Sequence, residues 1–242
     1  MPLLDLHSHI LPYVDDGAEN TETAITLLKE MKKQGITHVV ATPHFDAASQ
    51  SMPEYVAAVR RSYEKVLKAT AEHDLPHVFV GSEVFYFPNI SQSEGIRALS
   101  LGGSNYFLLE LPFCRLDKTI LKDIVGLREN LGLTPILAHI ERYAGLRGYR
   151  DVLKLIESGV ALAQLNATSI LQPPYKRVAQ KLIKKNLISF IATDTHSPDH
   201  RPPKMQEALT EIETLFGKKQ RDIFIENSAR VCSALKETVY EE

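Results

Sequence analysis

The chain has 242 residues, 44% of them apolar, with a formal net charge of −2 and only two cysteines. That length suits one α/β barrel domain spanning residues 1–242, able to bury a core without covalent staples. The near-neutral charge excludes a strong field for nucleic acid or an anionic membrane, no apolar run reaches the length of a membrane span, and Cys114 and Cys232 lack CxxC spacing, which with the missing basic-then-apolar leader points to a reducing cytoplasm.

In chain order, "LLDLH" (3–7) reads as a short buried strand. Residues 21–35 carry apolar positions at helical spacing and stop at Gly35. "THVVATPH" (37–44) is a second strand, and 52–73 a long amphipathic helix with Pro53 near its start. "HVFVGSE" (77–83) and "NYFLLELP" (105–112) are the third and fourth strands, separated by the irregular connection 84–104. A helix over 116–132, a fifth strand "TPILAHIE" (134–141), a helix over 149–159 and a sixth strand "VALAQLNA" (160–167) follow. The chain closes with a helix over 174–186, a seventh strand "ISFIATDTH" (188–196) and helices over 203–217 and 218–235. Short apolar strands alternating with helices predict a parallel sheet covered on both faces. Seven such units predict a distorted TIM-like (β/α)7 barrel, with a doubly wound open sheet as the alternative.

The residues at the strand ends share a chemistry. His7 with His9, His44, Glu83, Glu110, His139, Asn166, and Asp194 with His196 stand at the C-terminal ends of strands one to seven, and Asp16 follows close behind the first. In parallel barrels that rim is where chemistry sits. Singly, each is better read as a cap or a hydrogen-bonded core group. Together, so many imidazoles and carboxylates on one rim would be desolvated without a counter-ion, and nine candidate ligands exceed what one ion takes. The mixed His and carboxylate set suits two or three divalent ions of the Mn, Fe or Zn kind. His38, His73, His77 and His200 fall outside the rim positions. Arg142, three residues after His139, and Arg201, five after His196, follow ligand-type motifs and suit a phosphate. Asp15 reads as a turn or cap residue before Gly17.

The segments "DLHSHILPYVDDGA", "ATPHF", "GSEV", "LLELPF", "AHIERY" and "ATDTHS", in this order, resemble the PHP (polymerase and histidinol phosphatase) superfamily, and most of all the metal-dependent bacterial protein-tyrosine phosphatases of capsule and exopolysaccharide loci. The likeness runs from Asp5 to about Phe216. It implies a distorted seven-stranded barrel with a trinuclear site: one ion on His7, His9, Glu83 and Asp194; a second sharing Glu83 with Glu110 and His139; a third on Asp16, His44 and His196. It further implies that Arg142 and Arg201 contact the substrate phosphate. Ile140 stands where relatives commonly carry proline.

The expected reaction is hydrolysis of phosphotyrosine monoesters on a protein, with the tail of a bacterial tyrosine kinase as the partner the resemblance implies. No residue stands out as general acid. Neither cysteine lies in a CxxxxxR loop, which argues against cysteine-dependent phosphatase chemistry. A histidinol-phosphate phosphatase, a PHP phosphodiesterase and a non-catalytic metal-binding scaffold are the alternatives; the absence of a basic stripe argues against a nucleic-acid substrate. Amphipathic helices on the outer face leave a homo-oligomer open.

Overall fold

The computed structural model describes residues 1–236. All seven expected strand positions are present, two of them broken in two. The elements run β1 (Leu4–Ser8), α1 (Thr21–Lys33), β2 (His38–Ala41), β3 (His44–Phe45), α2 (Met52–Thr70), β4 (His77–Val80), β5 (Glu83–Phe85), β6 (Tyr106–Glu110), α3 (Lys118–Glu129), β7 (Thr134–Leu137), α4 (Tyr149–Glu157), β8 (Leu162–Asn166), α5 (Ala167–Leu171), α6 (Lys176–Lys184), β9 (Phe190–Ala192), α7 (Met205–Phe216) and α8 (Lys218–Ala234). The connection 84–104 winds through three short 3-10 turns, and α5 and a 3-10 turn at Ile140–Tyr143 replace the C-terminal ends of the expected strands six and five.

Every ladder is parallel. One runs β1-β2-β4 and the other β3-β5-β6-β7-β8-β9. The chain after β9 returns to β1: Asp194 N donates to the His7 carbonyl and His9 N to the Thr195 carbonyl, both across 2.9 Å. The sheet therefore curls into the distorted seven-position barrel expected, not an open doubly wound sheet.

The breaks between β2 and β3 and between β4 and β5 have local causes. Pro43 has no N–H to give the ladder. Gly81 sits where an added Cβ would lie 2.7 Å from Leu101 Cδ2. The Tyr55 hydroxyl of α2 ties both breaks down, donating to the Pro43 carbonyl and lying 2.8 Å from the Ser82 hydroxyl. Beyond the breaks, His44 pairs in register with Glu83, so two candidate ligands stand side by side.

A cluster of Leu4, Leu6, Val40, Phe79, Leu108, Ile136 and Phe190, with Val231 of α8, fills the barrel toward the N-terminal strand ends. A larger cluster lies between strands and helices. Because side chains alternate with a period of two, the inner face continues upward into polar residues: Phe79 leads to Glu83, Leu108 to Glu110, and Phe190 through Ala192 to Asp194. In β1 a register irregularity between Asp5 and Ser8 lets Leu6 pack with the inner cluster while His7 still reaches the rim site. The strand order thus stacks an apolar plug under a polar mouth.

Candidate metal centre

Four side-chain atoms converge at the mouth. His7 Nε2 lies 3.2 Å from His9 Nε2, 3.2 Å from Glu83 Oε2 and 3.4 Å from Asp194 Oδ1. His9 Nε2 lies 3.3 Å from Glu83 Oε2 and 3.5 Å from Asp194 Oδ1. All four residues are buried. Ligand atoms of His7, His9 and Asp194 all lie within 4.8 Å of one another, with Glu83 Oε2 against both imidazoles, spacings that suit shared coordination of a cation.

The protons support the same reading. His7 Nδ1 faces Gln164 Oε1 at 3.2 Å and His9 Nδ1 faces Asp15 Oδ2 at 2.6 Å, so each ring donates from Nδ1 and turns Nε2, the nitrogen that would bind an ion, toward the cluster. Glu83 Oε2 is buried within 3.3 Å of three imidazole nitrogens yet has no hydrogen bond of sound geometry. A cation would satisfy all of these atoms at once. The residues present fit divalent metal ions.

The remaining candidates surround this core. His139 Nε2 is 2.9 Å from Glu83 Oε1 and 3.6 Å from Glu110 Oε1. His44 faces both ways, with Nδ1 3.0 Å from Glu83 Oε2 and 4.0 Å from Glu110 Oε2, and Nε2 3.6 Å from Asp16 Oδ1. His196 Nε2 is 3.4 Å from Asp16 Oδ1, and its Nδ1 donates to the Asp194 carbonyl. Ligand atoms of His9, Asp16, His44 and His196 lie within 4.8 Å of one another, as do those of His44, Glu83 and Glu110. His139 and Asp194 hold positive φ values of 33° and 52°. Such backbone is costly for residues other than glycine, and it aims both side chains at the mouth after the strands have ended.

The charges are mutually held. Burial pushes the Glu83 carboxyl up, but the positive charge of His7 and contacts from His139 and His44 outweigh it and hold Glu83 well below the usual range. Burial also favours neutral His9, yet Asp15 and Glu83 raise it to about 10. Glu110 is pushed up to about 7, by burial first and then by the Glu83 charge. His196 is lowered to about 3 by burial and by His9.

Arg142 and Arg201 share one anchor. Arg142 Nη2 donates to Asp194 Oδ2 across 2.9 Å and Asn166 Nδ2 across 2.6 Å, and Arg201 Nη2 pairs ionically with the same oxygen at 2.6 Å. One oxygen of Asp194 thus gathers three partners while the other faces the histidines. Arg201 Nη1 also donates to His196 Nε2 at 2.8 Å. Both guanidinium groups are partly exposed and line a cavity of about 250 Å³ with Asn166, Thr168, Asp194 and His200.

All nine candidate ligands and both arginines stand at the rim where the sequence pattern places them. His38 and His77 sit at the starts of β2 and β4, at the other end of the barrel, and His73 lies in the loop before β4. His200, read from sequence as outside the site, lines the arginine cavity. The sequence pattern missed the groups that orient the ligands. Asp15, read as a turn residue, holds His9 and also accepts from Gly17 N and His44 N at 3.0 Å. Gln164 accepts from His7 and from His139 N. The Tyr143 hydroxyl accepts from Leu111 N at 3.0 Å and lies 3.4 Å from His139 Nδ1. For Asp15 the signal was its position, one residue before Asp16 in a loop already marked by ligands. Gln164 gave a weaker one, as the inward position two residues before Asn166.

A parallel barrel with clustered imidazoles and carboxylates at its C-terminal mouth, edged by arginines, defines a metal-dependent hydrolase-type site. The family model for capsular polysaccharide synthesis, CpsB/CapC, matches residues 3–233, and the chain belongs to this family. The tyrosine-protein phosphatase CpsB of Streptococcus agalactiae is 30% identical over 244 residues, covering 95% of this chain and 98% of the relative. Among solved structures, one described under YwqE from Bacillus subtilis and CpsB from Streptococcus pneumoniae, metal-dependent tyrosine phosphatases, matches with a TM-score of 0.84 and 30% identity over 99% of this chain and 97% of its own. Histidinol phosphate phosphatase of Lactococcus lactis shares the fold at a TM-score of 0.55 and 14% identity, over 90% of this chain and 93% of its own.

Proposed function

We propose that the chain, acting as one domain over 1–242, is a metal-dependent protein-tyrosine phosphatase. The observation that carries this reading is the convergence of nine ligand-type side chains on one mouth beside two arginines, in a chain of this family. His7, His9, Glu83 and Asp194 would hold one ion. Glu83, Glu110 and His139 would hold a second, and Asp16, His44 and His196 a third. The ions are Mn, with Fe or Zn as alternatives. When bound, they supply Lewis acidity toward phosphoryl oxygens and a nucleophilic water of lowered pKa.

The protein's own part is orientation. Asp15 and Gln164 hold Nδ1 of His9 and His7, so Nε2 of each stays aimed at the cluster. Asp194 holds Arg142 and Arg201 at the cavity edge, where their remaining N–H groups suit the equatorial oxygens of a phosphate. A phenolate leaves readily, so the lack of an evident general acid is compatible with an aryl ester. The substrate is a phosphotyrosine protein, in our reading the flexible tail of a tyrosine kinase that controls polysaccharide export, met in the cytoplasm.

The test is hydrolysis after reconstitution with Mn, comparing a phosphotyrosine peptide, a phosphoserine peptide and histidinol phosphate. Chelator-sensitive cleavage of the phosphotyrosine peptide, lost in His139→Ala and Arg142→Ala, is expected. Preference for histidinol phosphate would move the chain to small-molecule chemistry. Bound metal with no turnover of any of the three would overturn the monoesterase reading.

A further inference from the structure

Among the described residues the exposed large apolar side chains are Met1, Tyr13, Leu67, Phe113 and Leu215. The two aromatic rings of this set both stand on loops that follow ligand-bearing strands, Tyr13 after β1 and Phe113 after β6. They differ in what lies behind them. Tyr13 has the Lys65 ammonium 5.5 Å from its ring centroid. Phe113 rests on the ring of Tyr143, centroids 5.0 Å apart, and Tyr143 lies 5.8 Å from the ring of His139.

That support is rigid. Tyr143 is fully buried, and its hydroxyl is pinned by Leu111 N and His139. Phe113 itself occupies the apex of a three-residue turn, closed by Cys114 N donating to the Pro112 carbonyl at 2.8 Å. A single exposed phenylalanine needs no explanation by itself. One held at the apex of a closed turn, three residues past Glu110, backed by a buried ring that touches His139 and 57% exposed, is a prepared apolar wall.

Resting on the phosphatase reading above, we propose that Phe113 is a specificity-determining residue, the surface against which the phenyl ring of an aryl phosphomonoester packs while its phosphate reaches the arginines and the ligand cluster. A phosphotyrosine phosphate stands a full ring beyond the peptide backbone, so its ring must pass the rim; a phosphoserine side chain offers nothing to pack there. Offset or edge-to-face aromatic contact of this kind is worth about a 3- to 10-fold change in affinity.

The experiment uses the metal-loaded full chain and the variants Phe113→Ala and Phe113→Tyr. It reads kcat and KM on a phosphotyrosine peptide, and the dissociation constants of phenylphosphonate and of inorganic phosphate by calorimetry. In Phe113→Ala we expect KM and the phenylphosphonate constant to rise about 3- to 10-fold, with kcat and phosphate binding unchanged, and in Phe113→Tyr both to return. Unchanged phenylphosphonate binding would overturn the proposal. So would an equal weakening of inorganic phosphate, which would make Phe113 a prop for the cluster. If the wild type turns over no phosphotyrosine peptide, the phosphatase reading falls, while the comparison of phenylphosphonate with phosphate still decides on Phe113.

Discussion

His9 Nδ1 donates to Asp15 Oδ2 across 2.6 Å, and this one bond decides which nitrogen of His9 faces the cluster. The same carboxylate receives the backbone N–H of His44, so Asp15 orients two candidate ligands without being one. Asp15→Ala is expected to weaken metal binding about 10- to 100-fold. Asp15→Asn should lose less, because its carbonyl oxygen can still accept. Metal content after dialysis at graded free Mn measures this; equal retention in wild type and Asp15→Ala would remove Asp15 from the site.

With His9 raised and Glu83 lowered, an entering ion would meet a protonated imidazole beside a charged carboxylate. At neutral pH His9 carries a proton that an ion must displace, since its pKa stands at about 10. Metal uptake should therefore release protons, and apparent affinity should increase as pH rises. Titration with Mn in a weakly buffered indicator solution reads the release directly. Uptake with no proton released would contradict this account.

Glu110 makes stability depend on the ions. Its folded value of about 7 lies above the ordinary 4.5, so the metal-free fold favours the neutral acid. That contribution is present at low pH and fades as pH rises from about 4.5 through 7. Burial and the Glu83 charge cause it, and bound cations would offset both. The drop in Tm on adding chelator is expected to be larger at about pH 8 than at about pH 6, as calorimetry of loaded and stripped protein can check.

Arg142 and Arg201 meet on one oxygen of Asp194, which makes their effects interdependent. Arg142→Ala should lower kcat about 100-fold or more on a phosphotyrosine peptide while the metal content is kept. The double variant should lose less than the product of the two single losses. Strict multiplication would show that the two arginines act separately.

Gly17 packs on the backbone of His9, where an added Cβ would lie 2.1 Å from the His9 carbonyl oxygen. Rotamer changes cannot relieve a clash between backbone atoms, so Gly17→Ala must shift the loop that carries Asp15 and Asp16. A loss of roughly 1–3 kcal/mol together with reduced metal content is expected from denaturant unfolding and metal analysis. Stability lost with metal content intact would confine the effect to the loop.

Local patterning by itself determined the order of strands and helices and the candidate ligands at the strand ends. Short apolar runs marked the strands, and a period of two carried the inner face of each from Leu108 to Glu110 or from Phe190 to Asp194. These are facts about neighbours, and a chain read in order contains them. Only the tertiary structure decided what each ligand leans on. Gln164 reaches His7 from 157 positions away and Thr193 binds Asp5 from 188. The breaks at Pro43 and Gly81, the left-handed turns at His139 and Asp194, and the ring of Tyr143 behind Phe113 likewise took shape only when the barrel closed. Hydrogen bonds and steric contacts between distant segments leave no periodicity in the chain, so the candidate ligands at the strand ends were legible in advance and the residues that aim them were not.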